Sequence, residues 1–164
     1  AVDGQGEILA RGNHVLEGYW EQPEATAEAI VDGWFHTGDG GTIDGEGYLS
    51  ISDRKKDVII TGGENVSSIE VEDALFSHPA VAEVAVIGVP DERWGELVLG
   101  LVVLAPDAAA TEDDLRDHCR TKLAGYKVPK RIEFREELAR TATGKLQKFK
   151  LRSPYWEGVE RQVN

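Results

Sequence analysis

The sequence predicts an α+β fold: a short β-sheet flanked by helices, preceded by a run of β-hairpins. Three observations predict it. From Ser67 onward apolar residues follow helical spacing behind a capping signal. Residues 81–89 and 97–104 are nearly continuous apolar runs of strand length. Between residues 33 and 63, the turn pairs Asp32-Gly33, Asp44-Gly45, Glu46-Gly47 and Gly62-Gly63 separate short apolar stretches, the pattern of hairpins.

Taken in order, strands are expected over Glu7–Ala10, 34–37, 41–43, 47–52 and 58–61, with a short helix over 23–30 opened by Pro23. Ser67-x-x-Glu70 reads as a capping box, and Val71, Ala74 and Leu75 continue the helix until His78-Pro79 ends it. The strands 81–89 and 97–104 follow. Thr111 can cap a second helix reaching Leu123, and Arg131–Phe134 is a short last strand. On that second helix Leu115, Cys119 and Leu123 recur at i, i+4 and i+8, so Cys119 is read as a core residue rather than a reactive thiol. His78 and His118 have no second metal ligand near them in the pattern and read as structural. The α+β unit begins near Asp53, which divides the chain into 1–52 and 53–164.

Composition narrows the function. The chain has 164 residues, 41% of them hydrophobic, enough for one core with an appended piece. No stretch approaches the ~20 apolar residues of a membrane span, and the N-terminus lacks the basic and apolar regions of an export signal, so a cytoplasmic protein is expected. A single cysteine allows no internal disulfide and no metal site is expected. The chain contains no methionine, even at its start, so it is expected to be a piece of something longer. A net charge of −12 argues against nonspecific binding to nucleic acid or an anionic membrane. The charge is unevenly placed. Residues 1–50 hold ten acids and one base, whereas residues 127–152 hold nine bases and three acids. Such a basic segment suits a small anionic ligand, a solvated face or an acidic partner.

Four segments combine glycine, threonine and charge: residues 34–39 (WFHTGD), 53–57 (DRKKD), 61–65 (TGGEN) and 140–145 (RTATGK). Gly144-Lys145 is not the end of a phosphate loop, because no glycine stands five positions before Gly144 and Leu146 replaces the hydroxyl residue that would hold magnesium. The glycines also miss dinucleotide spacing. His36 and Asp39 lack an accompanying nucleophile elbow, which argues against hydrolysis.

In order and spacing these segments, with Gly6-Glu7-Ile8, Gly18-Tyr19-Trp20 and Lys127-Val128-Pro129-Lys130, resemble the C-terminal part of the adenylate-forming superfamily. That superfamily comprises AMP-forming acyl-CoA synthetases, peptide-synthetase adenylation domains and luciferase. The resemblance covers nearly the whole chain, and its segments 53–66 and 141–152 look most like synthetases acting on fatty or related carboxylic acids. It implies that residues 1–52 end a large N-terminal domain, as part of its β-barrel subdomain, and that residues 53–164 form the mobile C-terminal domain. It implies ATP/AMP and CoA as co-substrates, with Mg2+ held by ligands in the N-terminal region outside this chain. The implied partners are a carboxylic acid, ATP, CoA and that N-terminal domain.

Residue by residue, the resemblance makes Lys145 the catalytic lysine that offsets charge between carboxylate and α-phosphate during adenylation. Asp39 and Arg54 become ribose-binding residues and Lys56 the hinge. Gly62 and Gly63 would face the active site during thioester formation, where a side chain would block the pantetheine tunnel. Trp94, Lys127, Lys130 and Arg131 would meet CoA. Gly40 and Asp53 depart from the commonest pattern without disturbing this chemistry. The fragment alone is expected to be inactive. Two alternatives stay open at this stage: a noncatalytic partner-binding or nucleotide-binding module, and an adenylating enzyme that delivers its product to a carrier-protein thiol or oxidises it as luciferase does.

Overall fold

Short apolar runs punctuated by glycine turns build the first part of the chain. The computed structural model describes residues 1–2 and 6–159, and the chain divides into two compact units, Ala1–Lys56 and Asp57–Asn164. In the first unit, β3 (Trp34–Ile43) is the centre of an antiparallel sheet. It pairs with β1 (Glu7–Ala10), β2 (Ile30–Val31) and β4 (Leu49–Arg54), and α1 (Pro23–Ala29) precedes β2. Residues 34–43 form one strand where the sequence predicts two. Gly38 takes φ +74, a conformation costly for any residue with a Cβ, and the register shift between Gly40 and Gly41 lets the ladder pass through the glycines. β4 extends to Arg54 because Asp39 pairs with Arg54 and Gly40 with Asp53. The compact units therefore divide four residues later than the sequence boundary at 52/53.

The second unit follows the predicted order more closely. β5 (Ile59–Thr61) turns through Gly62-Gly63 into β6 (Glu64–Val66), a strand the sequence reading lacks, and α2 (Ser68–Phe76) follows. β7 (Val81–Asp91) and β8 (Gly95–Leu104) pair antiparallel along their whole lengths. After α3 (Glu112–Arg120), β9 (Arg131–Phe134) returns to lie parallel to β8, from Leu99↔Arg131 to Val102↔Phe134. The caps explain the helix starts. Ser67 Oγ accepts from Glu70 N at 3.4 Å, and Thr111 with Asp114 forms a reciprocal capping box. Glu70's carboxylate is held by Lys127 Nζ at 2.7 and 2.6 Å. α3 ends at Arg120, earlier than predicted, yet Leu123 still packs on the core beside Leu115 and Cys119.

The β7–β8 ribbon is apolar on both faces because both are covered. On one face Val86, Val98 and Val102 pack with Val71 and Leu75 of α2 and Leu115 of α3. On the other Ile87, Leu99 and Leu101 pack with Leu138, Leu146 and Leu151 from the C-terminal segment. That segment ends in α4 (Lys148–Arg152), a short basic helix absent from the sequence reading and held by polar contacts. Lys148 Nζ lies 2.7 Å from Glu72 Oε1 and donates to Ser68 Oγ at 2.6 Å. Arg152 Nη1 lies 3.2 Å from Asp57 Oδ1, and Trp156 Nε1 donates to the Gly88 carbonyl at 3.0 Å.

Burial raises the Cys119 thiol pKa to about 11, which makes it a poor nucleophile. His78 and His118 meet edge to face with centroids 5.1 Å apart, and Ser77 Oγ, 2.9 Å from His118 Nε2, donates to the Ala74 carbonyl as a helix-end contact. No helix among the described residues is long and apolar enough to cross a membrane.

Candidate active site

In the first unit the β3–β4 register sets Asp39 opposite Arg54, with Arg54 Nε 3.4 Å from Asp39 Oδ1. Both are accessible, Arg54 at 74% and Asp39 at 34% of the side chain, so the pair presents a carboxylate and a guanidinium outward. Beneath it sits a residue to which sequence reasoning gave no role. Glu7 on β1 is 5% exposed and accepts from Gly38 N at 2.9 Å and from Lys55 Nζ at 3.1 Å. His36 Nδ1 lies 3.0 Å from Glu7 Oε2, the oxygen that Lys55 also meets, and because an ionised carboxylate only accepts, this nitrogen carries the proton. Burial alone would raise the Glu7 pKa; the bonds from His36, Lys55 and Gly38 outweigh it and hold the carboxyl below its ordinary value. Glu7 thus fixes the segment that carries Asp39. An acid in a strand beside Gly6 was the available signal, but its three partners lie 29 to 48 residues away. Lys56 is exposed in the turn at the end of the first unit.

In the second unit Lys145 stands on a hairpin closed by the Arg140↔Leu146 bridge. Thr141 N donates to the Lys145 carbonyl at 2.8 Å, Gly144 N to the Thr141 carbonyl at 2.9 Å and Lys145 N to Thr141 Oγ1 at 3.0 Å. Gly144 at φ +83 makes the turn possible. The backbone here is fixed while the Lys145 side chain is exposed.

Pairing separates this lysine from most of its basic neighbours. Lys127 pairs with Glu70, Arg131 and Arg135 with Glu133, Arg140 with Glu83, Lys148 with Glu72 and Arg152 with Asp57. Among the described residues, Lys130, Lys145 and Lys150 have no carboxylate within ion-pair distance. Internal pairing thus accounts for much of the basic segment. What remains for a ligand includes two of the lysines singled out from sequence.

A cavity of about 130 Å³ brings together Gly62, Trp94 and Lys130, joined by Thr61, Glu64 and Tyr126. Gly62 N donates to the Trp94 carbonyl at 2.8 Å, and a Cβ on Gly62 would fall 2.9 Å from the indole. The Arg93 guanidinium lies 4.7 Å from the indole centroid, and Trp94 is 41% exposed. The other residues grouped with these from sequence stand apart. Lys127 is drawn to Glu70, whose carboxylate raises the ammonium pKa, Arg131 is drawn to Glu133, and Gly63 does not line the cavity. The space where a Gly63 Cβ would stand is open, so glycine is required there by φ +84 and not by crowding. Tyr126, beside Lys127 in sequence, carried no signal of its own. No three His, Cys, Asp or Glu residues among those described gather in a way that could hold a metal ion.

Comparison with known proteins places the chain in a family. Residues 70–145 match the family of AMP-binding enzyme C-terminal domains. The chain is 51% identical over 148 residues to a feruloyl-CoA synthase of Amycolatopsis, covering 90% of this chain and 30% of that protein. It is 49% identical over 152 residues to the long-chain-fatty-acid–CoA ligase FadD13 of Mycobacterium tuberculosis, covering 93% and 30%. Among solved structures, o-succinylbenzoate CoA synthetase (MenE) from Bacillus subtilis, in complex with the acyl-adenylate intermediate OSB-AMP, matches with a TM-score of 0.83 at 39% identity over 88% of this chain and 30% of that one. The chain belongs to the adenylate-forming superfamily and corresponds to the C-terminal portion of its members. It spans 30% of the length of these relatives.

Proposed function

We propose that this chain is the C-terminal segment of an ATP-dependent, AMP-forming acid–CoA ligase. The observation that carries the reading is Lys145: an ammonium without a carboxylate partner among the described residues, on a hydrogen-bonded hairpin within a largely self-paired basic segment. In the proposed first step a carboxylate oxygen attacks the α-phosphorus of ATP, the bond to the β-phosphate bridging oxygen breaks, and pyrophosphate leaves. Lys145 offsets the negative charge of the two approaching groups. Asp39 accepts from the ribose hydroxyls and Arg54 lies against the same sugar. In the second step the CoA sulfur attacks the acyl carbonyl, the thiol gives up its proton, and AMP departs. Lys56 is the point about which the second unit reorients between the steps. Gly62, Trp94 and Lys130, with Tyr126, receive part of CoA. Magnesium would be held by ligands in the N-terminal region outside this chain, where it would offset phosphate charge.

The large N-terminal domain expected from the sequence supplies what this chain lacks, and residues 1–56 are read as its closing portion. Identity to FadD13 supports a fatty acid as substrate. Identity to the feruloyl-CoA synthase supports an aromatic acid as a second reading.

The test uses the complete ligase polypeptide containing this chain. Lys145→Ala should lower acyl-adenylate formation about 10²–10³-fold and leave conversion of supplied acyl-adenylate to acyl-CoA nearly unchanged. Equal losses in both steps, or none, would refute the assignment. A panel of fatty acids and ferulate on the parent separates the two substrate readings. The 164-residue chain by itself should exchange pyrophosphate no faster than its Lys145→Ala form.

A further inference from the structure

We infer that Arg140 is the positioning residue for Lys145, acting through Gly144 and anchored on Glu83. Arg140 Nη1 donates to the Gly144 carbonyl at 2.7 Å. The same guanidinium meets Glu83 Oε2 on β7 through Nε at 3.1 Å and Nη2 at 2.6 Å. One planar group therefore ties the body of the sheet to the peptide that leads into Lys145. That peptide's plane sets the direction in which the Lys145 Cα–Cβ bond leaves the backbone. The other hairpin bonds lie within residues 139–147 and fix its internal shape: Gly144 N to Thr141, Lys145 N to Thr141 Oγ1, Gln147 N to the Ala139 carbonyl. Arg140 supplies what they do not, a polar link from the Lys145 turn to a neighbouring strand.

Global stability is not the role. The Arg140 and Glu83 side chains are 42% and 38% exposed, and a solvent-screened pair of this kind contributes little to folding. Orientation is different, since a displacement of about 1 Å at a reacting group can cost on the order of a hundredfold in rate. Lysine cannot replace arginine here, because a single ammonium lacks the fork that reaches a carboxylate and a carbonyl together.

The inference rests on Lys145 being the adenylating lysine, and a double-mutant cycle in the complete ligase separates the two claims. Arg140→Ala should slow acyl-adenylate formation about tenfold or more, leave thioester formation from supplied acyl-adenylate unchanged, and keep the parent's Tm within about 2 °C. Arg140→Lys should recover only part of the loss. Glu83→Gln, which leaves the loop sequence untouched, should give a smaller loss confined to the same step. Placed on Lys145→Ala, Arg140→Ala should cost nothing more, because it acts only through that side chain. The same fractional loss on both backgrounds, loss in both half-reactions, or full activity of Arg140→Ala and Glu83→Gln would overturn the inference while leaving Lys145's own role standing. An unaffected Lys145→Ala enzyme would overturn both.

Discussion

In the second unit the buried side chains are mainly apolar, running from Ile59 to Leu138, whereas among the described residues of the first unit the buried side chains are Glu7 and Asp53. Several large apolar groups of the first unit face outward: Trp20 is 86% exposed, Tyr48 69% and Ile51 64%. Its order comes from backbone ladders and the hydrogen bonds collected by Glu7. Ladder bonds exchange partners with water at small net gain, so a sheet without an apolar interior is marginal by itself. The second unit buries apolar groups on both faces of one ribbon and has its own source of stability. Two pieces of one polypeptide thus rest on different physics, although both carry residues proposed for the same reaction.

The largest effect that could break this contrast is all or none. Residues 57–164 made alone should unfold in urea with one cooperative transition and keep Cys119 unreactive to thiol reagents below the midpoint, since burial lifts that thiol to about 11. Residues 1–56 made alone should show no cooperative transition. A smaller effect comes from single side chains. Leu99→Ala, at a fully buried site, should destabilise the second unit by about 2–5 kcal/mol. Ile51→Ser, at an exposed one, should stay within about 0.5 kcal/mol by the same urea measurement on the whole chain.

The smallest effect concerns pH and sharpens the account of the first unit. Glu7's carboxyl is held below its ordinary value of 4.5, so its contribution is fully present above that value and is lost as pH falls through the lower folded-state value. Tryptophan fluorescence from Trp34 should report loosening of the first unit in acid. Glu7→Gln should remove that acid-dependent step while weakening the unit at neutral pH, and an unchanged acid profile would show that another carboxylate holds the segment.

Much of this was legible in the sequence where the signal was local. β1 and β9 fall where the sequence predicts short strands, and α2 and α3 begin behind Ser67 and Thr111. Residues 140–145 and the pairing partners Asp39 and Arg54 stood out because their composition is unusual over a few positions. The missed elements depend on distant partners. β6 is Glu-Asn-Val, which becomes a strand by pairing with β5 across Gly62-Gly63. α4 is a five-residue basic segment held by Glu72 and Asp57. The parallel pairing of β9 has no local mark. The roles of Glu7 and Arg140 escaped for the same reason: their partners lie tens of positions away in the sequence.

The contact between Arg152 and Asp57 has a mechanical consequence. Asp57 is the first residue after the division between the units, and Arg152 lies near the far end of the described chain. The clasp joins the first residue of the second unit to the helix that follows the Lys145 hairpin, so that residues 57–152 form one closure with the hairpin inside it. Tension applied to the chain at Asp57 is therefore shared with α4 through that contact, a few residues beyond Lys145.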